Sequence, residues 1–536
     1  MTDGASIIRR LEQLKAGRTD FDRTYRDCFL YVDPIRADGF MQSGMTPEQI
    51  QQQRAMVVDS TAIDSTRMLA SAIMSGLVPS NARWFALDTG SEADEERRWL
   101  DGAAQALWEN IHNSNFDAEG FEAALDIVGG GQFVLWIDED RERGGLTFTQ
   151  YHLASCYLAS TRPDGRPDTL YRPYRLTAEQ AIAEFGADKL PEKIVKAAEK
   201  SPDELFEFVH ATYPRENAKP GAVMAKNLPF ASCHVEATSR RVVRESGFHE
   251  CPFVAPRWKR AKAGSVYGIG PVADALPDIK TLNDLVRMEL AAADLAVAGM
   301  WIAQDDGVLN PRTVKVGPRK VIVANSTDSM KPLLTGSDFN VGFTVKAELQ
   351  RAIRKVLLSD QLQPQDGPAM TATEVHVRVN LIRQLLGPVY GRLQAEWLRP
   401  MVERCFGLAF RAGVFETPPE TLQGRAFSVR YVSPMARAQK LEDVSAMDRF
   451  EMGLMMAAQV DPSALDVYDI DAAQRLKSEL LGVPVKAIRS VRDIAARRKQ
   501  REAAEQQAQQ QMVLQQGAAA MAEEGGKQMG AAMAGA

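Results

Sequence analysis

Met370-Thr371-Ala372-Thr373-Glu374-Val375 opens the stretch that decides the fold. It runs on through Leu386-Gly387-Pro388-Val389 and Leu398-Arg399-Pro400 to Phe406-Gly407-Leu408-Ala409-Phe410-Arg411. Thr371 and Glu374 stand three apart ahead of an apolar run. That is the capping-box pattern, in which the threonine hydroxyl satisfies a free backbone N–H and the glutamate reaches back to the cap. Val375, Val379, Ile382, Leu386, Val389, Leu393 and Trp397 then recur at steps of three or four, which gives a helix one apolar face. Pro388 and Pro400 fall inside this pattern. Each removes a helix hydrogen bond, so the spacing predicts a long helix that is kinked rather than ended. Periodicity alone fits a long core helix of any large protein.

Composition narrows the class. The chain has 536 residues, enough for several domains and a large core, with 45% hydrophobic and 25% charged residues. A net charge of −6 argues against a conventional DNA binder, which grips phosphates with a basic surface. A mildly acidic chain can still surround DNA that must slide past it. The five cysteines, Cys28, Cys156, Cys233, Cys251 and Cys405, are widely spaced and odd in number, which fits scattered thiols rather than a disulfide framework or a zinc site. The N-terminal stretch lacks the apolar core of a signal peptide. The best membrane candidate, Ala291 to Ala303, is too short and carries Asp294. A soluble protein made in the cytoplasm, with no membrane partner, is expected.

Along the chain, residues 5–80 and Glu92 to Asn113 read as helices, with Asp59 to Thr61 offering an N-cap. Gln132 to Ile137, Leu146 to Tyr151, Leu205 to Tyr213 and Ser232 to Val243 read as strands, and Pro163-Asp164-Gly165 as a turn between Tyr157-Leu158 and Leu170-Tyr171. From Pro271 to Met300 the period returns to helix, with Leu276, Ile279, Leu282, Val286, Leu290 and Leu295 as the buried stripe. A second helix, about Phe343 to Leu358, places Val345, Leu349, Ile353 and Val356 on one face. Between them lies loop and short strand around Val321-Ile322-Val323. Gln361 to Ala369 is too rich in proline and glycine for helix. Ala426 to Tyr431 reads as a strand. Helix dominates from Ala436 to Arg498, broken near Asp461-Pro462 and Gly482-Val483-Pro484, and the Gln-, Ala-, Met- and Gly-rich end is expected to be disordered from Gly525.

The string TATEV with LLGPV, a basic-apolar helix and a proline resembles the portal proteins, the head-to-tail connectors of short-tailed double-stranded DNA bacteriophages. Three further stretches resemble that family in its order: Leu77-Val78-Pro79-Ser80 with Trp84-Phe85; Tyr267-Gly268-Ile269-Gly270-Pro271 followed by Ala275 to Asn283; and Tyr431-Val432-Ser433-Pro434-Met435 to Lys440. Together they cover most of the chain from about Asp59 to Arg498. The resemblance implies an α+β portal fold. Its expected parts are a helical portion of the wing (1–125), a β-rich antiparallel portion (126–270), stem helix 1 (271–298), a small α/β clip (299–340), stem helix 2 (341–359), a tunnel loop (360–372), a long kinked helix with a return strand (373–432), a helical crown (433–502), and a C-terminal helix with a flexible tail (503–536). It also implies self-assembly into a ring of twelve at one capsid vertex of the virion, with assembly in the host cytoplasm. Sequence-independent contact with double-stranded DNA is implied, as are a packaging ATPase (terminase), a tail adaptor, and capsid and scaffolding proteins as partners. The glycines of YGIGP are expected to form a tight wing-to-stem joint by allowing unusual backbone angles.

The candidate DNA-channel residues are Lys346, Arg351, Arg354 and Lys355 on the second stem helix, opposed only by Glu348, with Gln361, Gln363, Gln365 and Asp366 in the loop. The basic face reads equally as a solvated helix with local pairing or, repeated by symmetry, as a ring of phosphate contacts. Arg312, Lys315, Arg319 and Lys320 are candidates for partner docking on the clip, and the basic run Lys486 to Arg501 for the crown. No catalytic, cofactor or metal site is expected. Gly129-Gly130-Gly131 lacks the Lys-Ser/Thr of a P-loop. His234-Val235-Glu236 with Cys251 lacks the paired cysteines of a zinc deaminase. Asp138-Glu139-Asp140 reads as a hairpin turn. Two alternatives remain: another virion protein such as a tail adaptor or internal core protein, which would lack an axial tunnel, or an enzyme with an unrecognised active site, which would show converging groups of perturbed pKa.

Overall fold

The computed structural model describes residues 3–40, 46–90, 93–140, 142–219, 224–298, 301–303, 330–332, 339–362, 387–422, 428–431, 434–459, 461–481, 483, 488–489 and 493–507. The chain forms two compact units. The first comprises residues 1–85, 106–415 and 431–435, and the second residues 86–105, 416–430 and 436–536.

The first unit opens with helices α1 (Gly4–Val32), α2 (Pro34–Ala37), α3 (Pro47–Met56) and α4 (Thr61–Leu77). Thr46 and Gln49 form a full capping box on α3. Ahead of α4, the Asp59 carboxylate accepts from Thr61 N at 2.9 Å. After strand β1 (Phe85–Asp88) come α5 (Asp94–His112) and α6 (Phe116–Gly129). α6 carries helix to Gly129, and the first strand of the β-rich part starts at Val134.

Ten short strands follow: β2 (Val134–Glu139), β3 (Leu146–Tyr151), β4 (Tyr157–Ala159), β5 (Thr169–Thr177), β6 (Leu205–Pro214), β7 (Phe230–Glu236), β8 (Val242–Phe248), β9 (Phe253–Val254), β10 (Lys259–Arg260) and β11 (Gly268–Ile269). β4 to β8 make one antiparallel five-stranded meander in sequence order, β3-β2-β9 a second sheet, and β10-β11 a hairpin. The large sheet is covered on both faces because β6 alternates. Val209 and Ala211 pack under Ile7 and Leu11 of α1, while Phe206 and Phe208 pack on the other side against Phe185 and Ile194. Those last two residues belong to α7 (Ala178–Phe185) and α8 (Glu192–Lys200), inserted between β5 and β6. Thr177 and Gln180 cap α7 with another capping box, a signal present in the sequence.

α9 spans Pro271–Ala298, about 42 Å at 1.5 Å per residue. Strands β12 (Trp301–Ala303) and β13 (Met330–Pro332) pair antiparallel. Then come α10 (Phe339–Val356) and the short α11 (Ser359–Leu362), with Leu358 between them at φ +57°. The capping box at Thr371 lies outside the described residues. From residue 387 the chain is helical, passes through a π-helical turn at Gln394–Leu398, and continues as α12 (Arg399–Arg411). In the π turn Arg399 N–H donates to Gln394 O, five residues back. The wider turn leaves the Glu396 carbonyl clear of the Pro400 ring, which would strike it in a regular helix.

In the second unit, β14 (Ser428–Tyr431) pairs with β1. α13 (Pro434–Ala458), a 3-10 turn (Pro462–Val467), α14 (Ile470–Leu481) and a helix over residues 493–507 follow. Lys477 joins α14 to α13, with Nζ 2.6 Å from both Asp448 Oδ1 and Glu451 Oε2. Arg498 pairs with Asp471 at 2.7 Å.

Candidate nucleic-acid interface

The two helices expected to carry DNA contacts, α9 and α10, are fastened at one end to the N-terminal helices by hydrogen bonds and an ion pair. Asn283 on α9 accepts from Val58 N at 2.9 Å and donates to Met56 O at 2.8 Å. Gln350 on α10 donates to Asp59 Oδ2 at 2.9 Å, so Asp59 caps α4 with one oxygen and holds α10 with the other. Ser359 donates to Ser65 Oγ at 2.8 Å, and Lys280 pairs with Asp27 at 2.9 Å. Among the residues of α9 with described side chains, the buried ones are Pro271, Val272, Ala275, Ile279, Leu282, Asn283 and Val286.

Beyond Val286 the expected stripe departs from the sequence reading. Leu290 is 56% exposed and its neighbour Met288 66%. On α10, Ile353 is buried, as is Leu357 just past its end, but Val345 and Val356 are exposed rather than sharing the buried face, and Phe343 is 60% exposed. The pair of helices thus has a packed root and an apolar outer portion without a covering layer among the described residues.

The basic residues of α10 divide by helical phase. Lys346 does not lie with the others. At 3.6 residues per turn it stands half a turn away from Lys355, and its Nζ pairs with Glu289 of α9 at 3.1 Å, with the two side chains 28% and 18% exposed. In this structure it ties the two helices together. Arg351 and Lys355 are exposed, one turn apart, with Glu348 on the same side. Neither pairs with a described residue. Arg354 is half-buried and its carbonyl accepts from Ser359 Oγ at 3.4 Å. Gln361 belongs to α11, but its side chain lies outside the described residues. So do Gln363, Gln365 and Asp366, and Arg312, Lys315, Arg319 and Lys320.

The junction leading into α9 is made by glycines from two segments. A Cβ on Gly268 would sit 2.4 Å from Gly131 O, and one on Gly270 2.6 Å from Val128 O. Of these glycines only Gly131 has positive φ, at +90°. The role expected for YGIGP is therefore corrected: Gly268 and Gly270 serve close approach of backbones, not unusual angles. Tyr25 OH donates to Gly268 O at 2.7 Å, and Trp258 N to Gly131 O at 2.8 Å.

Three buried arginines lock the surrounding elements, and no motif in the sequence distinguishes them. Arg18 on α1 donates to the carbonyls of Leu153, Ala154 and Cys156 at 2.7–2.9 Å. Arg404 on α12 and Arg411 share Glu250. Burial pushes the Glu250 carboxyl up, but the two guanidiniums outweigh it and hold it below the usual range. Arg257 makes a bidentate pair with Glu396 in the π turn, Nη2 to Oε1 at 2.7 Å and Nε to Oε2 at 3.0 Å.

The motifs set aside in the sequence have structural partners. Asp140 accepts from Glu142 N and Arg143 N, closing the β2-β3 turn. Glu236 accepts from Thr238 N and Ser239 N in the β7-β8 turn. His234 stacks on His210, with ring centroids 4.1 Å apart and planes 8° from parallel. No group of three or more His, Cys, Asp or Glu suited to a metal ion occurs among the described residues, and no helix among them is long and apolar enough to cross a membrane.

Comparison with known proteins agrees with the motif order. The chain is 27% identical to the portal protein of Salmonella phage epsilon15 over 93% of this chain and 92% of that one. It is 26% identical to the probable portal protein of Bordetella phage BPP-1, over 93% and 91%. Among solved structures, the neck of an empty gene transfer agent particle aligns at a TM-score of 0.37 and 13% identity, over 75% of this chain and 91% of that one, a likeness too distant to weigh on the fold. The family model for the bacteriophage head to tail connecting protein matches residues 5–488, and the chain belongs to that family.

Proposed function

We propose that the protein is the portal of a bacteriophage. In this reading it forms a closed ring of twelve copies at one capsid vertex, through which double-stranded DNA is packaged and ejected. The packaging ATPase and later the tail adaptor dock on the segment between α9 and α10. α9 and α10 are the stem, the meander with its covering helices the wing, and α13 and α14 the crown. The observation that carries the proposal is the family match across residues 5–488. The uncovered outer portion of the α9–α10 pair supports it. Met288, Leu290, Phe343 and Val345 would lie against the adjacent copy in a ring, where one face of each subunit fits a different face of the next. Force must come from a partner, because the sequence carries no P-loop. Arg351 and Lys355 are the stem cations free to reach phosphates, and the role is structural rather than catalytic.

Mass measurement and electron microscopy of purified protein test this. Closed rings with a central hole are expected. A stable 59.1 kDa monomer under assembly conditions, with and without scaffold, would refute it.

A further inference from the structure

A concentration of positive charge lies away from α10, on two loops and one helix that the fold binds together. The β4–β5 loop carries Arg162 and Arg166, and the β10–β11 hairpin carries Lys259, Arg260 and Lys262. The two tips touch: a Cβ on Gly165 would sit 2.6 Å from Gly264 O, and both glycines have φ near +70°. Arg257 fixes them from beneath, donating to Gly165 O at 2.9 Å and Ser265 O at 2.5 Å while it grips Glu396. The helix bearing Glu396 adds Arg392, anchored on Trp258 O at 2.9 Å, and the exposed Arg399.

The local carboxylates do not cancel this charge. Asp168 is buried, and its contact to Arg162 is long at 3.9 Å. Asp274 meets Lys259 only at 3.4 Å, with both side chains exposed. Asp164 accepts from Arg166 N, and that bond with the nearby Arg166 and Arg162 keeps it ionised, so it offsets only part of the charge. Glu403 lies between Arg399 and Arg166, and burial raises its carboxyl against them. Arg260 and Lys262 are exposed and pair with no described residue. The Arg166 Nε is buried with no hydrogen-bond partner in the structure. In a chain of net charge −6, this local excess of exposed cations stands apart and suits a polyanion.

We infer that this loop platform is a second contact surface for the phosphate backbone of double-stranded DNA, separate from the α10 face. Long flexible cations on two adjoining tips, without a cavity or aromatic platform, suit a smooth line of phosphates and carry no base readout. The inference rests on the reading that the protein handles DNA.

The test uses the full-length assembled protein and a fluorescent duplex of about 30 base pairs, with affinity measured against salt. Lys259→Gln/Arg260→Gln/Lys262→Gln should leave rings intact by microscopy, weaken binding about tenfold or more at low salt, and flatten the log–log salt slope by roughly 2 to 3, since each lost phosphate contact removes about 0.9. Arg260→Lys, which keeps the charge, should bind like the parent. Lys262→Glu alone is the second variant should the triple fail to assemble, and should weaken binding more than Lys262→Gln. Unchanged affinity and slope overturn the inference. If Arg351→Gln/Lys355→Gln loses binding in the same assay, the portal reading stands without it. A polyglutamate peptide is the competing probe. If the triple variant loses the peptide but keeps DNA, the platform serves an acidic protein segment and the DNA assignment fails.

Discussion

Glu396→Ala should be among the most damaging single changes outside the apolar core. It would leave the Arg257 guanidinium, 2% exposed, without its carboxylate, which is itself only 10% exposed. Two carbonyl acceptors, Gly165 O and Ser265 O, would remain. Removing one partner of a buried pair costs about 3–5 kcal/mol, because the other charge stays desolvated and uncompensated. Replacing both by methionine removes the buried charge, so the double variant should lose less than either single one. It still orphans the two carbonyls, at about 1–3 kcal/mol. Because the double variant loses less than either single one, the coupling should exceed a single loss, at least about 3–5 kcal/mol, far above the few tenths expected of independent sites. Urea unfolding followed by tryptophan fluorescence is the assay, with Trp258 and Trp397 each one residue from a member of the pair. Because the chain has two compact units, the comparison belongs to the transition these tryptophans report, at matched m-value. Single variants within 1 kcal/mol of the parent, or additive losses, would refute the view that this ion pair fastens the β10–β11 segment to the π turn.

Gly268→Ala should cost about 1–3 kcal/mol, since its methyl would meet backbone oxygen at 2.4 Å and the Arg257 Cβ at 3.0 Å; a neutral thermal shift would show that the joint has room. Arg351→Gln/Arg354→Gln/Lys355→Gln should leave rings and melting intact while impairing DNA passage, whereas Lys346→Met should affect stability by up to about 1 kcal/mol through Glu289; the wrong answer is loss of assembly in the triple variant. Burial, with Arg244 and Arg172 nearby, lowers His234 to about 4 from 6.5, and burial next to His234 lowers His210 further. Each folded pKa lies below its unfolded value, so stability is full above pH 6.5 and falls as pH drops toward 4, by about 1.4 kcal/mol per unit for His234. Asp126 acts oppositely, raised by burial to about 7 against the pull of Arg36, so it gains stability between pH 7 and 3.8. His234→Gln should therefore approach or exceed parental stability only in acid, on the order of 3 kcal/mol relative to its neutral difference, and a pH-independent difference between the two refutes the assignment. Truncation after Glu524 should not shift the melting temperature, as that segment has little apolar content to offset ordering entropy; a large shift would show that it packs.

Much of the fold was legible because its signals are local. The turn Pro163-Asp164-Gly165 implied that Tyr157 and Leu158 face Leu170 and Tyr171, and the register is Tyr157 opposite Tyr171 and Leu158 opposite Leu170. The period change at Pro271 marked the start of α9. What escaped depended on distant partners. Ser232 to Val243 showed β character but no turn signal, and the chain folds back between Glu236 and Val242, the turn being held by the Glu236 carboxylate. α7 and α8 were overlooked although Thr177 and Gln180 carry a capping box, because eight or nine residues give too short an apolar period beside strong strand signals. Val345 and Val356 fit a 3.6-residue stripe, yet they are exposed. The buried phase of α10 is set by what α4 and α9 present, and a stripe calculated from one helix cannot include that.

The candidate site shows the same limit in its charges. A run of lysines and arginines on one helix records their number but not the side each occupies relative to an unseen neighbour. Glu289 lies 57 residues from Lys346 in sequence, and it decides that Lys346 ties helices together while Arg351 and Lys355 stay exposed. The loop platform is the converse case. Arg162 and Lys262 are a hundred residues apart and neither loop is unusual alone. They converge only because Arg257, which looks like one more cation in a basic stretch, turns inward to Glu396 and bonds both tips from beneath. The sequence does not show that Lys346 is paired with Glu289, and it separates the two loops that the fold brings together. In both cases a buried or half-buried carboxylate sorts the cations that hold the fold from those left to meet an external anion. Reversing Glu289 to lysine should therefore expel Lys346 from the α9–α10 contact and destabilise the hairpin without increasing DNA affinity. A gain in DNA binding on that change, at unaltered stability, would show that Lys346 already faces the duplex.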